Sequence, residues 1–253
     1  NLFIISNYLG KKIPKSKLIT CDRSHNHRFK NLKVINPKIK IEKFSLRRLK
    51  YLFCFLELIK IILRNKNFLV FAFQANLYCA IICRILGVKV IIRSNSSPSG
   101  WKIGFFRQII FKNLLTIPDK IIVNSKEFQK EYKRRFKIDT TCIYNPLDQK
   151  KIIKLSLNKV KNDFFKNYKY LKIIFIGRLV DQKDPMTFIK AMEIIKKKIK
   201  YKALIIGEGI YLKNLQKFIK KEKLNKNIKI NKWQNNPYKY LRLSDLLVLS
   251  SKF

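Results

Sequence analysis

Apolar residues arrive in short unbroken runs separated by segments of helical period, and the two kinds of segment alternate along the whole chain. Runs rich in Ile, Val and Phe predict strands over 2–6 (LFIIS), 68–73 (FLVFAF), 88–93 (VKVIIR), 120–124 (KIIVN) and 141–145 (TCIYN). A second series predicts strands over 171–177 (LKIIFIG), 202–207 (KALIIG), 228–230 (IKI) and 246–250 (LLVLS). Between them, 46–63, 75–86, 104–116, 126–136, 186–199 and 211–223 repeat their apolar positions every three or four residues and predict helices. The strand runs do not alternate apolar with polar positions, so they are expected to be buried on both faces, which requires helices on both sides. Strand and helix alternating in this way predict an α/β class with doubly wound parallel sheets.

The pattern breaks once. Over 145–170 (NPLDQKKIIKLSLNKVKNDFFKNYKY) a strand ends at Asn-Pro and a polar, Lys-rich stretch follows. The expected division is therefore a first domain over 1–165 and a second over 166–253. The chain opens at Asn1 directly on one apolar run and stops just after another, so the first domain is expected to lack its start and the second its end. The most apolar window, 68–93, is interrupted by Gln74, Asn76 and Arg84. It is expected to be a buried strand–helix–strand unit, since a membrane span needs about 20 nearly unbroken apolar residues.

Charge changes the picture less than its size implies. The formal net charge is +42, which would suit nucleic acid or an acidic bilayer. Lys is abundant together with Ile and Asn, so a compositional bias that fills exposed positions with Lys accounts for the excess without a dedicated partner. A basic surface still favours an anionic membrane, by about 1 kcal/mol for each Lys or Arg near it. A basic nucleic-acid-binding module is the alternative from a different class, but no motif beyond charge accompanies it and no nucleic acid is expected. Five cysteines without a C-x-x-C spacing are expected as reduced thiols of a cytoplasmic protein, and no segment has the form of a signal peptide.

The chemistry concentrates at one strand end. In IIFIGRLVDQKDPMTFIKAM (173–192), Gly177 and Arg178 leave a strand, and ligands in open α/β sheets bind beyond such carboxyl ends. Asp184 and Pro185 make a good helix start, as N-cap and first helical residue. Lys183 then stands just outside a helix N-terminus, where free amides favour anions. A guanidinium fork and an ammonium point charge are complementary ways of holding phosphate oxygens. The next strand ends in IIGEGIYLKNL (205–215), where Gly207 and Gly209 flank Glu208, whose carboxylate suits a sugar hydroxyl better than a phosphate. Beyond the third strand, Trp233 and Gln234 could lie against a planar ring.

Taken in order, IGRLVDQKD…FIKAM, LIIGEG and WQNNPYKYLRLSDLLVLSS resemble the donor-binding domain of family 4 glycosyltransferases, retaining enzymes of the GT-B fold. DKIIVNSKEF (119–128) and CIYNPLD (142–148) resemble the end of that family's N-terminal domain. The resemblance implies two Rossmann-like domains, the first on the acceptor side and the second binding a nucleotide-diphosphate sugar, with a UDP-sugar the expected donor. It implies that Arg178 and Lys183 bind the diphosphate and stabilise its growing charge, as catalytic residues. It implies that Gly177, Gly207, Glu208, Gly209, Trp233 and Gln234 complete the donor site. No Asp-x-Asp occurs in the chain, so a metal-bridged diphosphate is not expected, and neither is a metal or other cofactor. Where many members carry a His, this chain reads RSNSSPSG (93–100), leaving Arg93 and Asn95 as candidates for the sugar or acceptor contact; Lys232 replaces a usual Gly. The family's Glu-x7-Glu would begin just after Phe253, so this stretch alone is expected to be inactive. The expected activity is hexosyl transfer to a glycan or lipid-linked acceptor in cell-surface polysaccharide synthesis, with a sugar-nucleotide epimerase or hydrolase as the alternative on the same fold.

Weaker signals have ordinary explanations. Cys21, Asp22, His25 and His27 cluster in sequence, but metal binding needs converging ligands, and a polar loop accounts for them. Ser125 is expected to cap the helix that begins at Lys126. The basic, apolar segments 45–64 and 101–115 are expected to cover the sheet, or else to present an interfacial face in which Trp101 and Phe105 meet lipid headgroups on the inner side of the membrane.

Overall fold

The computed structural model describes residues 2–38, 47–74, 76–95, 98, 105–160, 164–166 and 168–252. Two compact units divide between Leu147 and Asp148.

The first unit begins with helix α1 (Leu2–Lys12), followed by strands β1 (Lys17–Ile19) and β2 (Lys33–Ile35). There follow α2 (Arg47–Arg64), β3 (Leu69–Ala72), α3 (Asn76–Ile85), β4 (Lys89–Ser94), α4 (Phe105–Leu114), β5 (Lys120–Val123), α5 (Lys126–Phe136) and β6 (Thr141–Cys142). Strands β3, β4, β5 and β6 form a parallel sheet in that order. Its core joins Val90 and Ile92 of β4, Ile121 and Val123 of β5, Cys79, Ala80 and Cys83 of α3, and Tyr132 and Phe136 of α5.

The strand expected over 2–6 is instead the start of α1. An apolar run of four residues does not by itself distinguish strand from helix; the contacts decide. Phe3, Ser6 and Gly10 fall on one helical face, and Phe3 and Gly10 meet the segment 28–32. Phe3 packs on Phe29 at 4.8 Å between ring centroids, with the Arg28 guanidinium 4.1 Å from its ring. Ser6 is buried, and Gly10 lies so close to the Asn31 backbone that a Cβ there would collide with it. Strands β1 and β2 pair in parallel as a separate two-stranded sheet; with three residues each, the first a Lys in both, they leave no apolar run longer than two residues to detect.

The second unit contains α6 (Gln149–Ser156), β7 (Leu171–Ile176), α7 (Pro185–Ile195), β8 (Tyr201–Ile206), α8 (Leu212–Lys221), β9 (Ile228–Asn231), α9 (Tyr238–Leu241) and β10 (Leu246–Leu247). Both faces of its sheet are covered, which is why its strands read as continuous apolar runs. Ile173 and Phe175 of β7 point to one side and pack with Phe188, Ile189, Met192, Leu215 and Ile219. Ile174 points to the other, with Phe165, Leu204, Ile206 and Tyr240. Each such fully buried side chain stabilises the unit by about 1.5–3 kcal/mol. Phe165 and α6 thus go with the second sheet, and the division falls at 147/148 rather than at the 165 expected from composition. Helix α6 lies within the Lys-rich stretch; Asp148 caps it by accepting from Lys151 N.

All pairings in this sheet are parallel, and its order is β10-β7-β8-β9. The chain steps outward from β7 through β8 to β9, then returns to lay β10 on the other side of β7. The strand order therefore reverses between β7 and β10, and the crevice beyond the carboxyl ends of such a pair is where ligands bind in open α/β sheets.

Candidate functional site

That crevice is lined by what leaves β7 and β10. After β7 the chain passes through Gly177, Arg178 and Leu179 into a 3-10 turn over Asp181–Lys183 and then α7. Asp184 caps α7, with Pro185 as the first helical residue; its carboxylate accepts from Thr187 N at 3.3 Å and from the Thr187 hydroxyl at 2.9 Å. The cap is reached in a left-handed conformation, φ 42° and ψ 57°, which few non-glycine residues adopt and Asp adopts more readily than most.

Arg178 is exposed and donates from Nη2 to Gln182 Oε1 at 2.9 Å. Lys183 is half-buried. Its stem lies beside Gly177, where a Cβ would stand 3.7 Å from Lys183 Cγ, and its Nζ donates to Ser251 Oγ at 3.3 Å. Among the described residues neither cation has a carboxylate partner. Lys252 does: Nζ is 2.9 Å from Asp181 Oδ1 and 3.8 Å from Asp184 Oδ2, and the hydrogen bond to Asp181 is the main cause of its raised pKa. The local acids are thus engaged by Lys252, while Arg178 and Lys183 hold only neutral acceptors near the amino end of a helix.

The loop after β8 lies directly against this turn. A Cβ on Gly207 would be driven into the Gly177 carbonyl oxygen, and one on Gly209 into that of Leu179. Leu179 N donates to Glu208 O at 2.8 Å, and Tyr211 N donates to Leu179 O at 3.1 Å. The two glycines are therefore required by the close approach of two backbones. Glu208 Oε1 accepts from Trp233 N at 3.3 Å, tying the loop after β8 to the loop after β9. Trp233 is 56% exposed, so its ring has an open face. Gln234 is held from two sides: Nε2 donates to Lys232 O, and Oε1 accepts from the Tyr240 hydroxyl.

Gly177, Arg178, Lys183, Gly207, Glu208, Gly209, Trp233 and Gln234 all lie in the loops that follow the carboxyl ends of β7, β8 and β9. Sequence reasoning missed Gln182, Ser250 and Ser251. The available signal was a pair of hydroxyls leaving an apolar strand, but it means something only once β10 is known to lie beside β7.

In the first unit, Arg93 and Asn95 diverge. Arg93, the penultimate residue of β4, is only 2% exposed, and its Nη2 donates to Ile143 O at 2.9 Å and Asn145 Oδ1 at 3.2 Å. The guanidinium thus fastens the chain leaving β6 to β4. Asn95, two residues on, is exposed. Ser125 caps α5, accepting from Phe128 N at 3.2 Å. No group of three or more metal-ligating side chains converges among the described residues. Asp22, Ser24 and His25 bond locally, with Ser24 and Asp22 both meeting the same ring nitrogen of His25. Cys21 Sγ lies 3.3 Å from Cys54 Sγ, and burial, followed by the neighbouring thiol, pushes Cys54 up to about 12. Trp101 lies outside the described residues, as does the side chain of Phe105. Among the described residues no helix is long and apolar enough to cross a membrane.

Comparison with known proteins agrees with this picture. Residues 158–253 match the family model described as glycosyl transferases group 1. An uncharacterised glycosyltransferase of Methanocaldococcus jannaschii is 29% identical over 215 residues, covering 77% of this chain and 52% of that protein. The N-acetylgalactosamine-N,N'-diacetylbacillosaminyl-diphospho-undecaprenol 4-alpha-N-acetylgalactosaminyltransferase of Campylobacter jejuni is 27% identical, covering 100% of this chain and 66% of that protein. The chain thus spans about half to two thirds of the length of these relatives. The structure of Anabaena Alr3699/HepE in complex with UDP superposes with a TM-score of 0.71 at 17% identity, covering 100% of this chain and 70% of that one. The fold is α/β with parallel Rossmann-like sheets, matching that of GT-B glycosyltransferase structures, and the family model and both relatives to which this chain is similar are glycosyltransferases.

Proposed function

We propose that this chain belongs to a retaining, metal-independent glycosyltransferase of family 4 that moves a hexose-type sugar from a UDP-sugar to a glycan or lipid-linked acceptor in cell-surface polysaccharide synthesis. One observation carries the reading. At the β7–β10 switch point a guanidinium and an ammonium stand without carboxylate partners among the described residues, beside a helix N-terminus. Two cations in that position are unfavourable, and the arrangement makes sense when an anion completes it.

In this reading the UDP diphosphate lies in the crevice, with Arg178 as a fork and Lys183 as a point charge on its oxygens. As the bond between sugar and phosphate oxygen breaks, negative charge grows on the departing UDP. Both donors are already in place, so they stabilise that charge without reorganising. The open face of Trp233 stacks on the base, and Glu208 fixes the Trp233 backbone. The chain has no Asp-x-Asp, and the two cations fill the role that a bridging metal would take. Asn95, exposed beyond β4, is the candidate sugar or acceptor contact in the first unit. In the full protein, Arg178→Ala and Lys183→Ala each lower turnover by about 10²–10³-fold, the usual loss when one donor to a developing anion is removed. Titration with UDP weakens alongside. Full activity in both variants refutes the assignment, and donor turnover without any acceptor favours a hydrolase or epimerase.

The lipid-linked acceptor draws support from the Campylobacter relative, whose name specifies a diphospho-undecaprenol-linked substrate. It would be met at the cytoplasmic face of an anionic membrane. On α2, Leu49, Leu52, Leu56 and Leu63 are exposed along one stripe, rimmed by exposed Arg48, Lys60 and Arg64; an apolar stripe with a basic border is suited to the bilayer interface. The protein is expected to float with liposomes containing acidic lipid and to release in high salt. Leu52→Asp combined with Leu56→Asp abolishes flotation. An unmodified protein that stays in the soluble fraction removes the membrane from the proposal and leaves the donor chemistry standing.

A further inference from the structure

We infer that Ser250 is a positioning residue for the diphosphate site, acting through the turn that carries Lys183. The inference rests on the function proposed above and adds a residue that does not touch the ligand. Ser250 leaves β10 and is 66 and 67 positions away in sequence from the two residues it binds. Its hydroxyl lies 2.7 Å from Asp184 O and 3.2 Å from Lys183 O. A hydroxyl carries one proton, so Asp184 O is the main acceptor and Lys183 O the minor one.

The rest of the segment continues the clasp. Ser251 Oγ accepts from Lys183 Nζ at 3.3 Å, Lys252 N donates to Gln182 O at 3.1 Å, and Lys252 Nζ pairs with Asp181. Residues 250–252 thus follow the 3-10 turn side by side, at the point where Asp184 takes up its left-handed conformation. Single residues held in such conformations persist when their surroundings over-determine them; here Asp184 N donates to Val180 O and Asp181 O, its carboxylate meets Thr187, and the Ser250 hydroxyl holds its carbonyl from the far side of the turn. Without it, two carbonyls lose their partner and the turn can shift. Lys183 would then present its ammonium to the crevice over a range of positions. Gln182, which accepts from Arg178, sits on the same turn. One hydroxyl just beyond β10 therefore braces the turn on which both cations depend.

The test separates phosphate recognition from general stability. Affinities for UDP and UMP are measured by calorimetry on the full protein and on Ser250→Ala, Ser250→Thr and Ser251→Ala, with thermal melting of each. Ser250→Ala is expected to weaken UDP about tenfold while changing UMP no more than twofold, because the second phosphate depends most on the cations. Ser250→Thr, which keeps the hydroxyl, restores UDP binding to within twofold. Ser251→Ala removes only the Lys183 Nζ acceptor and weakens UDP two- to threefold. Unchanged UDP affinity in Ser250→Ala, equal losses for UDP and UMP, or a lowered melting temperature with no recovery by threonine each overturn the inference. Lys183→Ala in the same titration tells the two failures apart. If it erases the preference for UDP over UMP while Ser250→Ala does not, the positioning role falls and the donor site stands. If Lys183→Ala also leaves that preference intact, the donor site falls first.

Discussion

Arg93 and Arg178 both stand near the carboxyl end of a central parallel strand, one in either unit: Arg93 is the penultimate residue of β4, and Arg178 follows the end of β7 by two. They have opposite fates. Arg93 is 2% exposed and binds Ile143 O and Asn145 Oδ1 within its own unit. Arg178 is exposed and touches one neutral side chain, Gln182 Oε1. The first guanidinium organises a loop. The second is available to a ligand. Position at a strand end therefore does not assign function; what decides is whether the protein's own carbonyls already satisfy the donors. A buried guanidinium with two protein acceptors has little left to offer a sugar, whereas an exposed one held at a single nitrogen keeps most of its fork.

The sharpest way to break this comparison is Arg93→Met, which keeps the apolar volume and removes the donors. Ile143 O and Asn145 Oδ1 then lose a protein donor; both residues are exposed, so water can take its place and the cost is roughly 0.5–1.5 kcal/mol for each bond. Relief of the guanidinium's own desolvation offsets part of it. The expected result is a first unit destabilised by that order, seen as faster hydrogen exchange at the amides of β4 and β5, with UDP affinity within twofold of the parent. Normal exchange with lost turnover would reverse the assignment and make Arg93 a substrate contact.

The same contrast explains which parts of the fold and site were legible in the sequence. Strands β4, β5, β7 and β8 announce themselves as continuous apolar runs between helical segments, and in the second sheet this follows from coverage of both faces. The run 2–6 has the same local composition, but the partners of Phe3 and Gly10 lie at 28–32, and no local pattern carries that information. The Lys-rich stretch conceals α6 because its apolar positions are few, and the boundary moved to 147/148 because Phe165 is buried under the second sheet. Gly177, Arg178, Lys183, Asp184 and Pro185 are consecutive or nearly so, and the chemistry of a strand end leading into a helix cap is local. Ser250 and Ser251 acquire meaning only from the pairing of Leu246 with Ile173 and Leu247 with Ile174, which is tertiary. Arg93 was legible as a cation at a strand end, but not as one already engaged by a neighbouring loop.

The two helix caps sharpen the comparison at a smaller scale. Ser125 caps α5 from an ordinary extended conformation, φ −150°. Asp184 caps α7 from φ 42°. Replacing a good N-cap by Ala typically costs about 1 kcal/mol, so Ser125→Ala is expected to lower the stability of α5 by that amount, read from amide exchange along the helix. At Asp184 the balance differs. Asp184→Gly removes the carboxylate that accepts from Thr187, yet glycine adopts the left-handed conformation without the Cβ penalty and is itself a tolerable N-cap, only a few tenths of a kcal/mol poorer. The two effects oppose each other, and exchange along α7 is expected to change by no more than those few tenths. A loss in Asp184→Gly as large as that in Ser125→Ala would mean that the side-chain bonds to Thr187, rather than the Ser250 hydroxyl, hold the turn in place. The comparison would then lose its premise that the second unit's site is braced from β10.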